Sequence, residues 1–331
     1  MPLHTQLTND FGLRYPILSA PMGAVAGGQL AAAVSRAGGL GLIGPGYLGA
    51  EWVDAQFQAA EGARVGIGFI TWDLQRAPER LDAALAHRPA AVMLSFGDPE
   101  PLLPAIRRAG ALVILQVQTL AAAQRAAALG ADLIVAQGTE AGGHGANRAL
   151  FPLLPAVVDA VAPISVVAAG GIADGRGLVA ALSLGAQGVL VGTRFYAAEE
   201  ALGLSSAKAE LVRAGGDTTV RTHVFDIVRG LPWPNEFTGR AVRNAFTQRW
   251  HGQEAQLRAS LPEERQPFLE AVTAGDWSTA MLWAGEGLDL VREVLPAATI
   301  VERMMQETET VLRRLSCQGQ IGSDGGAVPI E

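Results

Sequence analysis

The sequence predicts an α/β protein, a (β/α)8 TIM barrel with a small C-terminal helical subdomain. Up to about residue 215, short apolar runs alternate with amphipathic, alanine-rich segments. The apolar runs are nearly continuous, which is typical of parallel strands that helices cover on both faces. About eight such units, each roughly 25 residues long, favour a closed barrel over the alternative, an open doubly wound sheet.

The strand and helix candidates follow one another along this region. Helix candidates include residues 27–38, 78–88, 120–130 and 175–185. The strand candidate GLGLIG also fits the GxGxxG dinucleotide fingerprint, but that fingerprint needs a strand before it and a helix that begins within it. We therefore interpret its glycines as small residues of a barrel strand. The eight predicted strands are PILSAP (16–21), GLGLIG (39–44), RVGIGFIT (64–71), AAVMLSFG (90–97), LVILQV (112–117), ADLIVAQG (131–138), SVVAAGG (165–171) and GVLVGTRF (188–195).

The pattern changes after the eighth unit. From about residue 223 to residue 287, the chain contains four of its six tryptophans and no alternating strands. We therefore predict a barrel over residues 1–220 and a small helical subdomain, a candidate lid, over residues 221–290. Residues 291–331 are expected to form a last helix, roughly Ala297 to Leu315, that packs on the barrel, and a glycine-rich tail with a mobile tip.

Composition and charge exclude several classes of partner. The chain has 49% hydrophobic and 17% charged residues, as packed globular proteins do, and its net charge of −7 argues against nucleic acid or an anionic membrane. Its apolar stretches are too short to span a bilayer, and MPLHTQLTND does not resemble a signal peptide. Because Cys317 is the only cysteine, an internal disulfide is excluded, and we expect a cytoplasmic protein. No cluster of His, Asp and Glu predicts a metal site.

Two glycine-containing turns predict a phosphate site. VVAAGGIADGRG ends a strand at Gly170 and Gly171 and begins a helix near Asp174, and the next unit repeats the arrangement with Gly192 and Thr193. In (β/α)8 enzymes the loops after strands seven and eight often bind phosphate. Glycines there let backbone N–H groups point at the anion, a helix N-terminus adds a favourable dipole, and Thr193 can add a hydroxyl donor.

The chain lacks residues that some phosphate-binding barrel enzymes need, and this excludes several ligands and reactions. A sugar phosphate, a nucleotide or a flavin would all fit the turns. A Schiff-base aldolase needs a lysine at a barrel strand end, but the only lysine, Lys208, falls in the eighth helix region. A mechanism like that of inosine monophosphate dehydrogenase needs a cysteine in a barrel loop, and Cys317 lies in the tail. A redox cofactor that brings its own chemistry fits better.

The segment GTEAGGHGA places a histidine where a buried strand reaches the surface. Gly142, Gly143 and Gly145 surround His144, remove bulky packing and let a ligand approach the backbone closely. Histidine titrates close to neutral pH and can act as a base or hold an anion. We therefore predict that His144 is catalytic. Gln116, a polar residue that closes an apolar run, is expected to point into the barrel mouth.

Three motifs resemble the nitronate monooxygenases, formerly called 2-nitropropane dioxygenases. They are APMGAVAGGQLAAAVSRAGGLGLIG, QGTEAGGHGA and AAGGIADGRGLVAALSLGAQGVLVGTRF, within residues 13–200. The resemblance implies an FMN-dependent barrel with a small helical domain, and His144 on the substrate side of the flavin. It implies that the flavin ring lies against Ala20, Pro21, Met22 and Gly23, that Gln116, Gln137, Gly142 and Gly143 lie near the flavin, and that Gly170, Gly171, Gly192 and Thr193 hold the FMN phosphate.

The resemblance also implies the reaction and its partners. Members of this family oxidise small alkyl nitronates, and some nitroalkanes, with O₂ to carbonyl compounds and nitrite. An NAD(P)H-dependent reductase of a quinone or an enoyl thioester shares much of the pattern and remains the alternative. A phosphate-binding barrel without redox turnover is a third, and a homodimer is left open. Strand five offers neutral Gln116 where some members have lysine, which bears on the reaction and not on cofactor binding.

Overall fold

A computed structural model describes residues 3–318 of the chain. Eleven strands lie within the described residues: β1 Ile17–Ser19, β2 Leu40–Ile43, β3 Gly66–Ile70, β4 Ala91–Ser95, β5 Leu112–Val117, β6 Leu133–Gln137, β7 Gly143–Gly145, β8 Val166–Ala169, β9 Gly188–Val191, β10 Thr219–Thr222 and β11 Thr238–Val242. The helices are α1 Gln6–Asp10, α2 Gly28–Arg36, α3 Ala50–Ala59, α4 Thr71–Leu74, α5 Glu79–Ala86, α6 Leu103–Arg108, α7 Leu120–Ala128, α8 Leu150–Val161, α9 Gly175–Ser183, α10 Thr193–Tyr196, α11 Ser205–Arg213, α12 Val224–Arg229, α13 Ala245–Trp250, α14 Glu254–Ala259, α15 Leu261–Ala274 and α16 Ala297–Gln318.

Eight parallel strands close into a barrel, as predicted. Their order is β1-β2-β3-β4-β5-β6-β8-β9, and β9 pairs back with β1. Each strand falls inside one of the eight predicted apolar runs, and α2, α5, α7 and α9 lie in the four predicted helix segments. The open-sheet alternative is therefore wrong.

The barrel interior is filled with side chains and closed at its N-terminal end. Leu18, Leu42, Ile114 and other strand residues form a buried cluster that also includes Leu7 of α1. A Cβ added to Gly188, the first residue of β9, would lie 2.6 Å from the Leu7 side chain, so α1 packs directly under the strands. A ligand can therefore enter from the C-terminal ends of the strands, where (β/α)8 enzymes carry their sites.

GLGLIG is a barrel strand, and its central glycine has a packing role. A Cβ added to Gly41 would lie 2.0 Å from the carbonyl oxygen of Ala31 in α2. The glycine therefore lets α2 lie directly on β2, and no dinucleotide turn forms there.

The segment after the barrel differs from its prediction in one respect. Helices α12 to α15 lie in it, but β11 lies there too and pairs antiparallel with β10 and with β7, which comes from the barrel loop after β6. The expectation of no strand between residues 223 and 287 is therefore wrong. These strands are three to five residues long, and GHG carries no alternation that would identify a strand. The domain boundaries near residues 220 and 290 stay predictions.

The last helix lies against the barrel helices. α16 begins at Ala297 and contacts α9 and α2. A Cβ on Gly175 of α9 would lie 2.4 Å from the backbone nitrogen of Thr308, so the two helices are in close contact. The predicted mobile tip of the tail lies outside the described residues. Within residues 3–318, every helix is too short or too polar to cross a membrane.

Candidate active site

A cavity of about 510 Å³ opens at the C-terminal ends of the barrel strands. Loops after the barrel strands and side chains from the segment after the barrel line it together. All thirteen residues that the sequence analysis assigned to the site line this one cavity: Ala20, Pro21, Met22, Gly23, Gln116, Gln137, Gly142, Gly143, His144, Gly170, Gly171, Gly192 and Thr193. Their individual roles stay predictions.

The turn after β1 forms one wall of the cavity through close backbone packing. A Cβ added to Gly68 would lie 2.3 Å from Cγ of Pro21, and one added to Gly44 would lie 2.4 Å from the Pro21 carbonyl carbon. Gly68 of β3 and Gly44, which directly follows β2, thus let Pro21 lie over the barrel top. Small side chains and backbone line this wall, and a planar ring could rest against such a surface.

Three side-chain amides form a network that supports the loop carrying His144. The Nε2 atoms of Gln116 and Gln118 donate to Oε1 of Gln137 at 3.1 and 2.9 Å. Gln137 Nε2 in turn donates to the backbone carbonyl of His144 at 3.0 Å. Because Oε1 of Gln137 accepts twice, the orientation of its amide is fixed. Gln137 thus positions the backbone at His144, and the sequence analysis did not anticipate Gln118.

The two glycine turns after β8 and β9 present unused hydrogen-bond donors. We call residues 170–173 and 192–193 the donor loops. Their six backbone N–H groups donate no hydrogen bond within the described part of the chain, although all six residues line the cavity. Gly170 has φ +118° and Gly171 has φ +69°, backbone conformations that L-residues rarely adopt. A row of unused N–H groups in glycine turns is a typical binding site for an anion.

The helix that follows the first donor loop has side-chain acceptors for its first-turn N–H groups. Asp174 Oδ1 accepts from the backbone N–H groups of Arg176 and Gly177, and Glu307 Oε2 accepts from that of Gly175. The first-turn donors of α9 are thus already bonded to carboxylates, and the favourable dipole expected from this helix N-terminus stays a prediction. Thr193 Oγ1 accepts from the backbone N–H of Gly285 at 2.9 Å, which leaves its hydroxyl hydrogen free to donate.

His144 is tightly packed, contrary to the expectation drawn from its glycine neighbours. Its ring stacks on Trp233, with centroids 3.5 Å apart and an interplanar angle of 3°, and Trp283 lies 5.2 Å away. The side chain is 10% exposed. Burial is the largest influence and lowers the pKa of His144 from 6.5, while the nearby Asp226 carboxylate opposes that shift. The imidazole is therefore neutral at pH 7.

The neighbouring glycines have separate roles. A Cβ added to Gly143 would meet nothing within 4 Å, so this glycine borders open space, and its φ is +67°. A Cβ added to Gly142 would lie 2.6 Å from the carbonyl carbon of Ala284, so Gly142 is needed for packing between two chain segments.

Asp226 is the partner of His144 that sequence reasoning missed. Its Oδ2 lies 2.8 Å from Nε2 of His144, and its side chain is 4% exposed. The two residues are 82 positions apart, and Asp226 belongs to α12 in the segment after the barrel. One signal was available, because a carboxylate interrupts the otherwise apolar run VFDIV. Such a residue at a buried helix position needs a polar partner.

Two arginines attach the His144 loop to the small sheet. Arg221 of β10 donates from Nε to the carbonyl of Thr139 at 3.0 Å and from Nη1 to the carbonyl of Gly145 at 3.1 Å. Arg240 of β11 donates to the same Thr139 carbonyl at 2.9 Å. Burial lowers the pKa of Arg221 to about 10, so it stays charged at neutral pH. The loop is therefore held at both ends.

The remaining lining of the cavity is largely aromatic and apolar. Trp233, Trp277 and Trp283 line the cavity, whereas Trp250 packs in the core of the small subdomain. Trp233 Nε1 donates to the hydroxyl of Tyr47 at 2.7 Å, and burial raises the pKa of Tyr47.

Few charges reach the cavity. Among the described residues that line it, Arg229 is the one Arg, Lys, Asp or Glu. Within residues 3–318, no group of three or more His, Cys, Asp and Glu side chains is placed to hold a metal ion.

Three comparisons with known proteins bear on this site. The family model described as nitronate monooxygenase matches residues 4–65 and 70–307. A nitronate monooxygenase of Neurospora crassa is 35% identical, over 90% of this chain and 90% of that protein. Two solved structures are similar over almost their whole length. FabK from Thermotoga maritima has a TM-score of 0.85 at 28% identity and covers 96% of this chain and 99% of its own. Nitroalkane oxidase from Streptomyces ansochromogenes has a TM-score of 0.77 at 28% identity and covers 93% and 99%.

Proposed function

This chain belongs to the nitronate monooxygenase family of oxidoreductases, and on that premise we propose that it uses FMN to oxidise alkyl nitronates with O₂ to carbonyl compounds and nitrite. Neutral nitroalkanes are substrates once an α-proton has been removed. The observation that carries the proposal is the arrangement of the cavity. One space is bordered by a row of unused backbone donors at one place and by a buried, neutral histidine at another.

The residues present fit FMN. The six free N–H groups of the donor loops suit the terminal oxygens of a phosphate monoester, and the hydroxyl of Thr193 adds a donor. The wall at Ala20 to Gly23 suits a planar ring, and the amide of Gln116 borders the same space. When bound, FMN supplies the redox chemistry, because it can accept electrons from a nitronate. None of the cavity-lining side chains could do so.

His144 suits the role of a general base. A nitroalkane is neutral, and its α-proton must leave before the anionic nitronate forms. A neutral imidazole accepts such a proton, and the resulting imidazolium is stabilised by Asp226 at 2.8 Å. The nitronate anion formed beside it is favoured by the positive charges of the imidazolium and of Arg229, which also lines the cavity.

The aromatic lining suits a small, weakly hydrated substrate. Trp233, Trp277 and Trp283 give the cavity apolar walls, which lower the local dielectric constant and strengthen the electrostatic contacts inside it.

The overall reaction balances without a further reductant, because two nitronates and one O₂ give two carbonyl compounds and two nitrites.

An anaerobic spectrum tests this proposal directly. The purified protein, reconstituted with FMN, is mixed without O₂ with propyl-2-nitronate in one experiment and with NADH in another. We expect the flavin absorbance to bleach with nitronate alone, and nitrite to appear when air is admitted. Rapid bleaching by NADH and none by nitronate would contradict the proposal and favour the reductase alternative. A protein that binds no FMN would favour the barrel without redox turnover.

A further inference from the structure

Asp226 is a buried carboxylate with few hydrogen-bond and charge partners. Its Oδ2 bonds Nε2 of His144 at 2.8 Å, whereas its Oδ1 is buried and has no hydrogen-bond partner within the described residues. The nearest cation is Nη1 of Arg229, 4.0 Å from Oδ1. A carboxylate in this setting is costly to bury, and a better-satisfied residue would stabilise the fold more. Its geometry is instead suited to holding one particular imidazole.

We propose that Asp226 is a positioning residue, which holds His144 as the Nε2–H tautomer and leaves Nδ1 as the base. An ionised carboxylate accepts hydrogen bonds and cannot donate one, so the proton in this 2.8 Å bond belongs to Nε2 of His144. In a neutral imidazole, Nδ1 then carries the lone pair. Nδ1 makes no hydrogen bond within residues 3–318 and is not sealed from solvent, and His144 lines the cavity.

The contacts of the imidazole ring prevent a flipped ring, in which Nε2 would no longer face Asp226. Trp233 stacks flat on the imidazole at 3.5 Å and fixes the plane of the ring. A half-turn about the Cβ–Cγ bond keeps that plane but would place Cε1 against the Asp226 carboxylate and lose the hydrogen bond. The backbone of His144 is also held, since its carbonyl accepts from Gln137. One ring orientation and one tautomer therefore satisfy all of these contacts.

The charges around His144 and Asp226 determine in which direction the pKa of His144 shifts. Asp226 favours the imidazolium, whereas burial and the positive charges of Arg229 and Arg221 disfavour it. Removal of the Asp226 charge therefore lowers the pKa of His144 further. The acid limb of the pH profile, which reports loss of the neutral base, then moves to lower pH.

The tautomer can be measured without any substrate. The catalytic meaning of the proposal rests on the proposed function, but the tautomer is a property of the folded chain. Full-length protein with ¹⁵N-labelled histidine is examined by NMR with and without FMN, and His144→Gln identifies the signal. We expect a protonated Nε2 and an unprotonated Nδ1. A protonated Nδ1 in the neutral form of the wild type would overturn the proposal, whether or not the enzyme turns over nitronates.

The kinetic test compares Asp226→Asn with a matched surface pair. Asp54 bonds Nε2 of His87 at the same 2.8 Å distance outside the cavity, so Asp54→Asn is the control and should change nothing. For Asp226→Asn we expect turnover of neutral 2-nitropropane to fall about 10²-fold or more, with an acid limb at lower pH and flavin retained. Turnover of propyl-2-nitronate, which needs no deprotonation, should stay within about threefold.

The outcomes separate a positioning role from a structural one. Equal losses with 2-nitropropane and with its nitronate, or turnover of 2-nitropropane at the wild-type rate, would overturn the proposal. If Asp226→Asn fails to fold, the tautomer in the wild-type protein still decides the question. If the wild type oxidises neither substrate, the proposed function fails, while the NMR result for Asp226 and His144 stands by itself.

Discussion

The hydrogen bonds proposed between the donor loops and the FMN phosphate predict how much more tightly FMN binds than riboflavin. Riboflavin is FMN without its phosphate, so the difference between the two affinities measures those hydrogen bonds. Six backbone N–H groups are unused in the donor loops. A phosphate monoester presents three terminal oxygens, and a hydrogen bond to a charged group contributes at least about 1.5 kcal/mol. Even one bond to each oxygen gives about 4.5 kcal/mol, or roughly 10³-fold in affinity.

The assay is a titration of flavin-free protein with each ligand, followed by flavin fluorescence or calorimetry. We expect riboflavin to bind roughly 10³-fold more weakly than FMN. Gly171→Ala forces a residue with a Cβ into a conformation at φ +69° and should weaken FMN about tenfold while riboflavin binding is unchanged. Gly62→Ala imposes the same strain at φ +72°, outside the cavity, and should leave both affinities unchanged. Riboflavin that binds within tenfold of FMN would refute the assignment of the donor loops to the phosphate.

Three further predictions concern stability. Gln137→Leu removes the side-chain partner of Gln116, of Gln118 and of the His144 carbonyl. It should lower the free energy of unfolding, measured in urea, by about 2–4 kcal/mol. A loss under about 0.5 kcal/mol would mean that water replaces the amide. Gly41→Val places a Cβ within 2.0 Å of the Ala31 carbonyl and should cost about 3 kcal/mol or more, seen as a lower melting temperature, and an unchanged value would contradict the packing of α2 on β2. Because burial lowers the pKa of His144 below its unfolded value of 6.5, the unfolded chain binds the proton first, so stability present above pH 6.5 is lost as the pH falls below it. Urea unfolding at pH 7.5 and 5.5 should show this loss, and His144→Gln should reduce it.

The barrel could be predicted from the sequence because its strands are buried on both faces. Runs such as ADLIVAQ carry that burial in their composition alone, and the glycine turns after β8 and β9 follow from the chain order. The small sheet could not be predicted in this way. Its strand β7 is only Gly143–Gly145, and it exists because β11 pairs with it from almost a hundred residues further along the chain.

The glycines and His144 that line the cavity could be selected from the sequence, whereas the side-chain pairs of the site could not. Glycines and His144 are visible as local patterns, whereas the contact of His144 with Asp226 depends on how α12 packs over the barrel. The same packing brings Trp233 onto the imidazole, which glycine neighbours alone did not suggest. The bonding of the first-turn N–H groups of α9 also depends on a long-range contact. Glu307 of α16 occupies a first-turn donor of α9 from 132 residues away.

The central claim, that His144 removes a proton from the substrate beside a bound flavin, has one direct measurement. His144→Gln, loaded with FMN, is mixed anaerobically in a stopped-flow spectrometer with 2-nitropropane and, separately, with its nitronate. We expect flavin reduction by 2-nitropropane to slow by about 10²–10⁴-fold, while reduction by the nitronate stays close to the wild-type rate. Wild-type rates with both substrates, or equal losses with both, would contradict it.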